Sequence, residues 1–182
     1  MAEPLSPQAA ALLEPWAGPF GGLPPLTPTD PLVIEQSLRA AIDLQRAEVQ
    51  AIAQNPAPPT FENTAEAMED CGRALNRVIT VFRVHANSLS LGEMPAVAQR
   101  LAPLLAALDD EIAHDERLFA RLGEVWSARE QAGLSPEQQR LVDVQRTRMQ
   151  RKGAGLAPPA KARLAQINAR LASLSAQYSQ NL

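Results

Sequence analysis

Apolar residues recur at helical spacing through most of the chain. Ile34, Leu38, Ala41, Ile42, Val49 and Ile52 fall on one face of a helix that opens at Pro31, with Thr29 or Asp30 as its cap, and ends before NPAPP. Thr60 opens a second helix whose face carries Met68, Cys71, Leu75, Val78, Ile79, Phe82 and Leu89, up to a break at SLSLGEMP. Pro95 starts a third through Val97, Leu101, Leu104, Leu108 and Ile112, and Pro103 inside it is predicted to kink it or shift its start. A fourth runs from about Asp115 through Leu118, Phe119, Leu122, Val125 and Trp126 to Gly133. Ser135-Pro136-Glu137-Gln138 is a capping box that opens a fifth, ending near KGAG. The sixth begins near Pro159, with Leu164, Ile167, Leu171, Leu174 and Tyr178 spaced 3-4-3-4 and Leu182 on the same stripe. Neither a Pro nor a basic last turn closes it, and Asn181 is a weak terminator, so the helix is expected to be cut from a longer one. No strand-like alternation persists and no repeat period is visible. The pattern predicts an all-α array of about six helices.

The N-terminal stretch reads differently. Half of the 16 prolines lie at or before Pro31, and proline fixes φ and removes a donor, so residues 1–30 are expected to form a Pro-rich extended arm. Leu12, Leu13, Trp16, Phe20, Leu23 and Leu26 within it call for a hydrophobic surface to lie against. The helical domain then occupies residues 31–182.

Composition narrows the function classes. Aromatics make up only 4% of residues, which disfavours a sandwich or barrel. A formal charge of −3 gives no electrostatic reason to expect nucleic acid or an anionic membrane as partner. No basic, apolar leader opens the chain, and no stretch approaches the roughly 18 apolar residues of a membrane span. Cys71 is the only cysteine, which excludes an internal disulfide and fits a reducing, cytoplasmic setting.

Candidate chemistry is sparse. His85 and His114 stand far apart in the sequence, without the four-residue spacing that lets two helix histidines face one zinc ion. Cys71 lies on an apolar stripe and reads as a small buried hydrophobe, with no base beside it to make a nucleophile. Asp109, Asp110, Glu111, Asp115 and Glu116 form a carboxylate cluster without the loop spacing of a hard-cation site; they read as a solvated face with a cap among them. Arg140, Arg146, Arg148, Arg151 and Lys152 form a basic stretch, able to contact phosphate or a peptide carboxylate, or simply to face water. No phosphate loop is present, since GPFGG follows no strand and GAG lacks the lysine after it. The residues assemble no catalytic site and no metal site, and no substrate-binding residue can be assigned.

Several blocks taken together resemble one family. NPAPPTFENT, LFARLGEVW with LSPEQQRLV after it, AKARLAQINARLASLSAQYSQNL, and WAGPFGGLPPL near the start are similar to the N-terminal region of the bacterial peptidyl-dipeptidase and oligopeptidase branches of the thimet oligopeptidase family of zinc metallopeptidases. The resemblance departs at RVHANSLSLGEMP, where relatives carry a different polar turn, and at RMQRKGAGL, where Met149 stands near an expected aromatic. It implies a longer parent with a helical shell around a narrow channel, and a C-terminal part in which His-Glu-x-x-His and a further Glu bind Zn2+. That motif is not in this sequence, so no catalytic residue carries over and no cofactor is expected in the segment itself. Its helices would wall the channel for short peptides, partnered by the C-terminal catalytic part of the same chain, and the isolated segment could self-associate. The other reading is a standalone helical interaction module that binds partners through apolar grooves.

Overall fold

Asp30 caps the first long helix. Its Oδ1 accepts the Leu32 amide at 2.9 Å, and its carbonyl accepts the Val33 amide at 2.9 Å. These bonds belong to a computed structural model that describes residues 5–19, 22–24, 30–89 and 92–180. Thr29, Phe20, Leu26, Asn181, Leu182 and part of the SLSLGEMP break lie outside the described residues, as does the Leu89 side chain. The helices are α1 (Pro7–Leu13), α2 (Pro31–Ala53), α3 (Ala67–Asp70), α4 (Arg73–Val84), α5 (Met94–His114), α6 (Glu116–Ala128), α7 (Pro136–Arg151) and α8 (Pro158–Gln180). A π-helical turn, Phe61–Glu66, leads into α3, and another, His85–Leu89, follows α4. No strand occurs among the described residues. The fold is all-α.

The Pro-rich segment is not extended throughout. Ser6 accepts the Ala9 amide at 3.2 Å and Pro7 takes the first helical position, so α1 forms inside it. Leu12 is buried, whereas Leu23 is 75% exposed. The second predicted helix is also not one helix. Cys71 turns extended and Gly72 takes φ +74°, a left-handed conformation that suits glycine, so α3 and α4 separate there. A Cβ on Gly72 would come within 2.7 Å of the Gln45 side chain, which closes the position to other residues without movement. Pro103 sits inside α5 without shifting its start to a later turn.

The chain divides into two compact units: residues 1–45, 72–105 and 170–182 in the first, and residues 46–71 and 106–169 in the second. The first buries Leu12 of α1, Ile34 and Leu38 of α2, Val78 and Val81 of α4, and Val97 and Leu101 of α5. Ser37 Oγ ties α2 to α1 by donating to the Ala9 carbonyl at 3.1 Å, and the Arg77 guanidinium of α4 donates to the Leu13 carbonyl. The second unit has one continuous core, in which Val49, Ile52, Phe61, Leu118, Leu122, Val125, Val142 and Met149 pack together. Every α2 residue expected on the buried face is buried.

Candidate functional site

NPAPPTFENT, one of the blocks most specific to the sequence resemblance, is a turn held by a buried cation from another of them, LFARLGEVW. Thr60 accepts the Asn63 amide at 3.2 Å and the Asn63 side chain accepts the Thr60 amide at 2.9 Å, a reciprocal cap that opens the π turn. Arg121 of α6, 8% exposed, reaches into this turn. Its Nη1 donates to the carbonyls of Asn55 at 2.7 Å and Ala57 at 3.0 Å, and its Nη2 to Asn63 Oδ1 at 2.9 Å. Gln145 of α7, 5% exposed, holds the next stretch by donating through Nε2 to the Ala65 carbonyl at 2.9 Å and to Glu69 Oε1 at 2.8 Å. The prolines of the block leave carbonyls without intrahelical partners, and a planar guanidinium with several donors suits them. Arg121 lies inside the LFARLGEVW block and Gln145 outside the quoted blocks, and the residue type alone singles out neither. The available signal is a polar residue on an apolar stripe, Arg121 between Leu118 and Val125 and Gln145 between Val142 and Met149.

Beside Gln145 a small cavity of about 180 Å³ brings the acidic cluster and the basic stretch together. Met68, Ile112 and Met149 supply apolar walls, while Glu69, Asp109, Arg148 and Lys152 line it with charge. Lys152 Nζ meets Asp109 Oδ2 at 2.6 Å, and the Gln145 Oε1 oxygen is buried with no hydrogen-bond partner among the described residues. Such a site can hold a small polar group against an apolar wall; it contains no nucleophile paired with a base.

The remaining acidic residues are accounted for by structure. Asp115 caps α6, its Oδ1 accepting the Leu118 amide at 2.8 Å. Asp110 accepts from Asn168 at 2.7 Å, Glu111 pairs with Arg46 at 2.7 Å, and Glu116 with Lys161 at 2.9 Å. The basic stretch divides. Arg146 stacks over the Trp126 ring, 4.4 Å from its centroid, and Lys152 pairs with Asp109, while Arg140, Arg148 and Arg151 are exposed.

The zinc implied by the resemblance finds no donor set among the described residues. His85 is 4% exposed in the first unit, and its Nε2 has no hydrogen-bond partner among those residues. His114 Nε2 lies 2.8 Å from the Lys152 carbonyl in the second unit. Burial, with Glu48 and then Asp70 nearby, pushes the Cys71 thiol up to about 11, so a thiolate ligand or nucleophile is disfavoured at neutral pH. Among the described residues no three His, Cys, Asp or Glu side chains converge as a metal site.

No family model matches the chain. Individual relatives do. It is 37% identical over 164 residues to the dipeptidyl carboxypeptidase of Escherichia coli (strain K12), covering 88% of this chain and 24% of that protein. It is 39% identical over 138 residues to the dipeptidyl carboxypeptidase of Salmonella typhimurium, covering 76% of this chain and 20% of that protein. Oligopeptidase A of Salmonella typhimurium is 25% identical over 161 residues, covering 88% and 24%. The chain therefore spans less than a quarter of the length of these relatives.

Proposed function

Starting from homology to part of the dipeptidyl carboxypeptidases and oligopeptidase A, we propose that this chain is the helical, non-catalytic N-terminal part of a zinc metallopeptidase that acts on short peptides. Its helices wall the channel that admits substrate, and the residues that bind zinc and activate water belong to the C-terminal part of the longer polypeptide. The observation that carries this reading is a single alignment running along 88% of the chain at 37% identity. The absence of a paired nucleophile and base among the described residues is compatible with a segment that shapes a site supplied from elsewhere. Cys71, the only cysteine, supports a reducing cytoplasm; no helix among the described residues is long and apolar enough to cross a membrane.

The experiment compares this segment with a longer polypeptide from the same gene. The longer chain should cleave short unstructured peptides, lose activity to a zinc chelator and regain it with added zinc, while the segment alone hydrolyses none. A reading frame without His-Glu-x-x-His, or a segment that hydrolyses peptides unaided, overturns the proposal. A second reading, a helical module that docks other proteins, is favoured by the exposed Leu171, Leu174 and Tyr178 of α8. A frame that stops where this chain stops would favour it.

A further inference from the structure

We propose that the outer face of α7 between Arg140 and Arg151 is a docking surface for an acidic protein segment. The inference does not depend on the peptidase reading. It comes from the way the structure sorts the basic stretch. Arg146 is engaged by the Trp126 and Phe119 rings, at 4.4 Å and 5.9 Å, and Lys152 by Asp109. Arg140, Arg148 and Arg151 are left on a single face, and among the described residues none of their side chains has a hydrogen-bond or ion-pair partner.

All three line a groove of about 540 Å³ together with Asp143, Val144 and Thr147. Asp143 is directed to other partners, accepting from Trp126 Nε1 at 2.6 Å and facing Arg129 Nε at 3.7 Å. At a helical rise of about 1.5 Å per residue, Arg140 and Arg148 stand about 12 Å apart along the axis and Arg148 and Arg151 about 4.5 Å. Val144 and Thr147 put methyl groups between the charges.

A guanidinium fork matches a carboxylate in a bidentate pair, so three such forks separated by methyl groups are complementary to a segment with Asp or Glu on either side of a small apolar residue. Nucleic acid is the poorer occupant. No aromatic ring lines the groove to stack a base.

The test uses this chain and a synthetic helical peptide with three glutamates on one face, followed by fluorescence anisotropy. The peptide should bind at low ionic strength and weaken as salt rises. The double variant Arg148→Glu, Arg151→Glu should lose about tenfold or more in affinity, a loss of about one bidentate contact or more. The same variant should bind a peptide with lysines in place of the glutamates, and Arg163→Glu on α8 should leave glutamate-peptide binding unchanged. Circular dichroism checks that the variants keep their helices. The proposal is overturned if the glutamate peptide fails to bind at low salt, if the double variant binds it as tightly, or if a single-stranded oligonucleotide displaces it at lower concentration.

Discussion

Arg121 is a cation on a hydrophobic stripe, and its position explains the NPAPPTFENT turn better than any residue inside that turn. Replacing it with methionine keeps the bulk and removes the donors, leaving the Asn55 and Ala57 carbonyls without them. Hydrogen bonds to a charged group contribute about 1.5–3 kcal/mol, and these acceptors are only part-buried, so Arg121→Met should lower stability by about 1.5–3 kcal/mol in urea denaturation. Arg121→Lys should recover little of it, since an ammonium cannot span both carbonyls and Asn63. A loss under half of the lower figure would mean that water replaces the guanidinium. Glu35 carries a second residue-scale consequence. The hydrogen bond from Arg100 holds its carboxyl below the ordinary value of 4.5, burial opposes this, and Arg39 adds to it. Because the folded value is the lower one, the stabilisation is full above the ordinary carboxylate value and is lost as pH falls through the folded one. Glu35→Gln should therefore be less stable than the wild type near neutrality and lose less on acidification, read as denaturation midpoints against pH. Parallel curves for the two proteins would remove Glu35 from the account. Residues of this kind were the least legible in the sequence. A periodic stripe announces burial, and it says nothing about which polar partner lies across from Arg121 or Gln145.

At the scale of elements, local chemistry was readable wherever a side chain closes its own helix. Thr60, Asp115 and Ser135 cap where the sequence places caps, because the cap residue and its amide partner are three positions apart. The break at Gly72 was not readable. The apolar stripe runs through it unchanged, and the side chain that a Cβ there would meet, Gln45, lies on α2. α1 had its signal, Ser6 before Pro7, hidden among prolines that argued for extension. α8 is periodic as predicted, and its large apolar residues face outward, as a stripe whose partners are absent from the segment requires. Ala172, Ser173 and Ala176 are half-buried, while Leu171, Leu174 and Tyr178 are 56%, 48% and 66% exposed. Small side chains let that face approach the rest of its unit closely, and the large ones are left in water. Burying each of them would gain about 1.5–3 kcal/mol, so the chain should self-associate through α8 at high concentration. Sedimentation should show a mass that rises with concentration and falls back with Leu171→Gln, Leu174→Gln. A strict monomer whose last α8 turns resist hydrogen exchange would show that this face needs no partner.

At the scale of the molecule, the helical class and the likeness to part of a peptidase were legible from ordered blocks along the chain, while its division into two units was not. Stripes report that a helix has an inside and not which core that inside joins. α2, α5 and α8 each contribute residues to both units, and no composition shift marks the crossing points. Deleting residues 170–182 removes the third stretch of the first unit alone. Amide exchange in α4 should then quicken, while α6 and α7, within the second unit, keep their protection. Equal losses in both would show that the two units open as one cooperative unit. The same division sets an order on synthesis. A ribosome releases the chain from its first residue, so the second unit is complete once residue 169 has emerged. The first unit, although it holds the earliest residues made, still waits for 170–182. Ile34 and Leu38 emerge well before residues 170–182, and until that last stretch joins its unit they are apolar surface that a chaperone would meet.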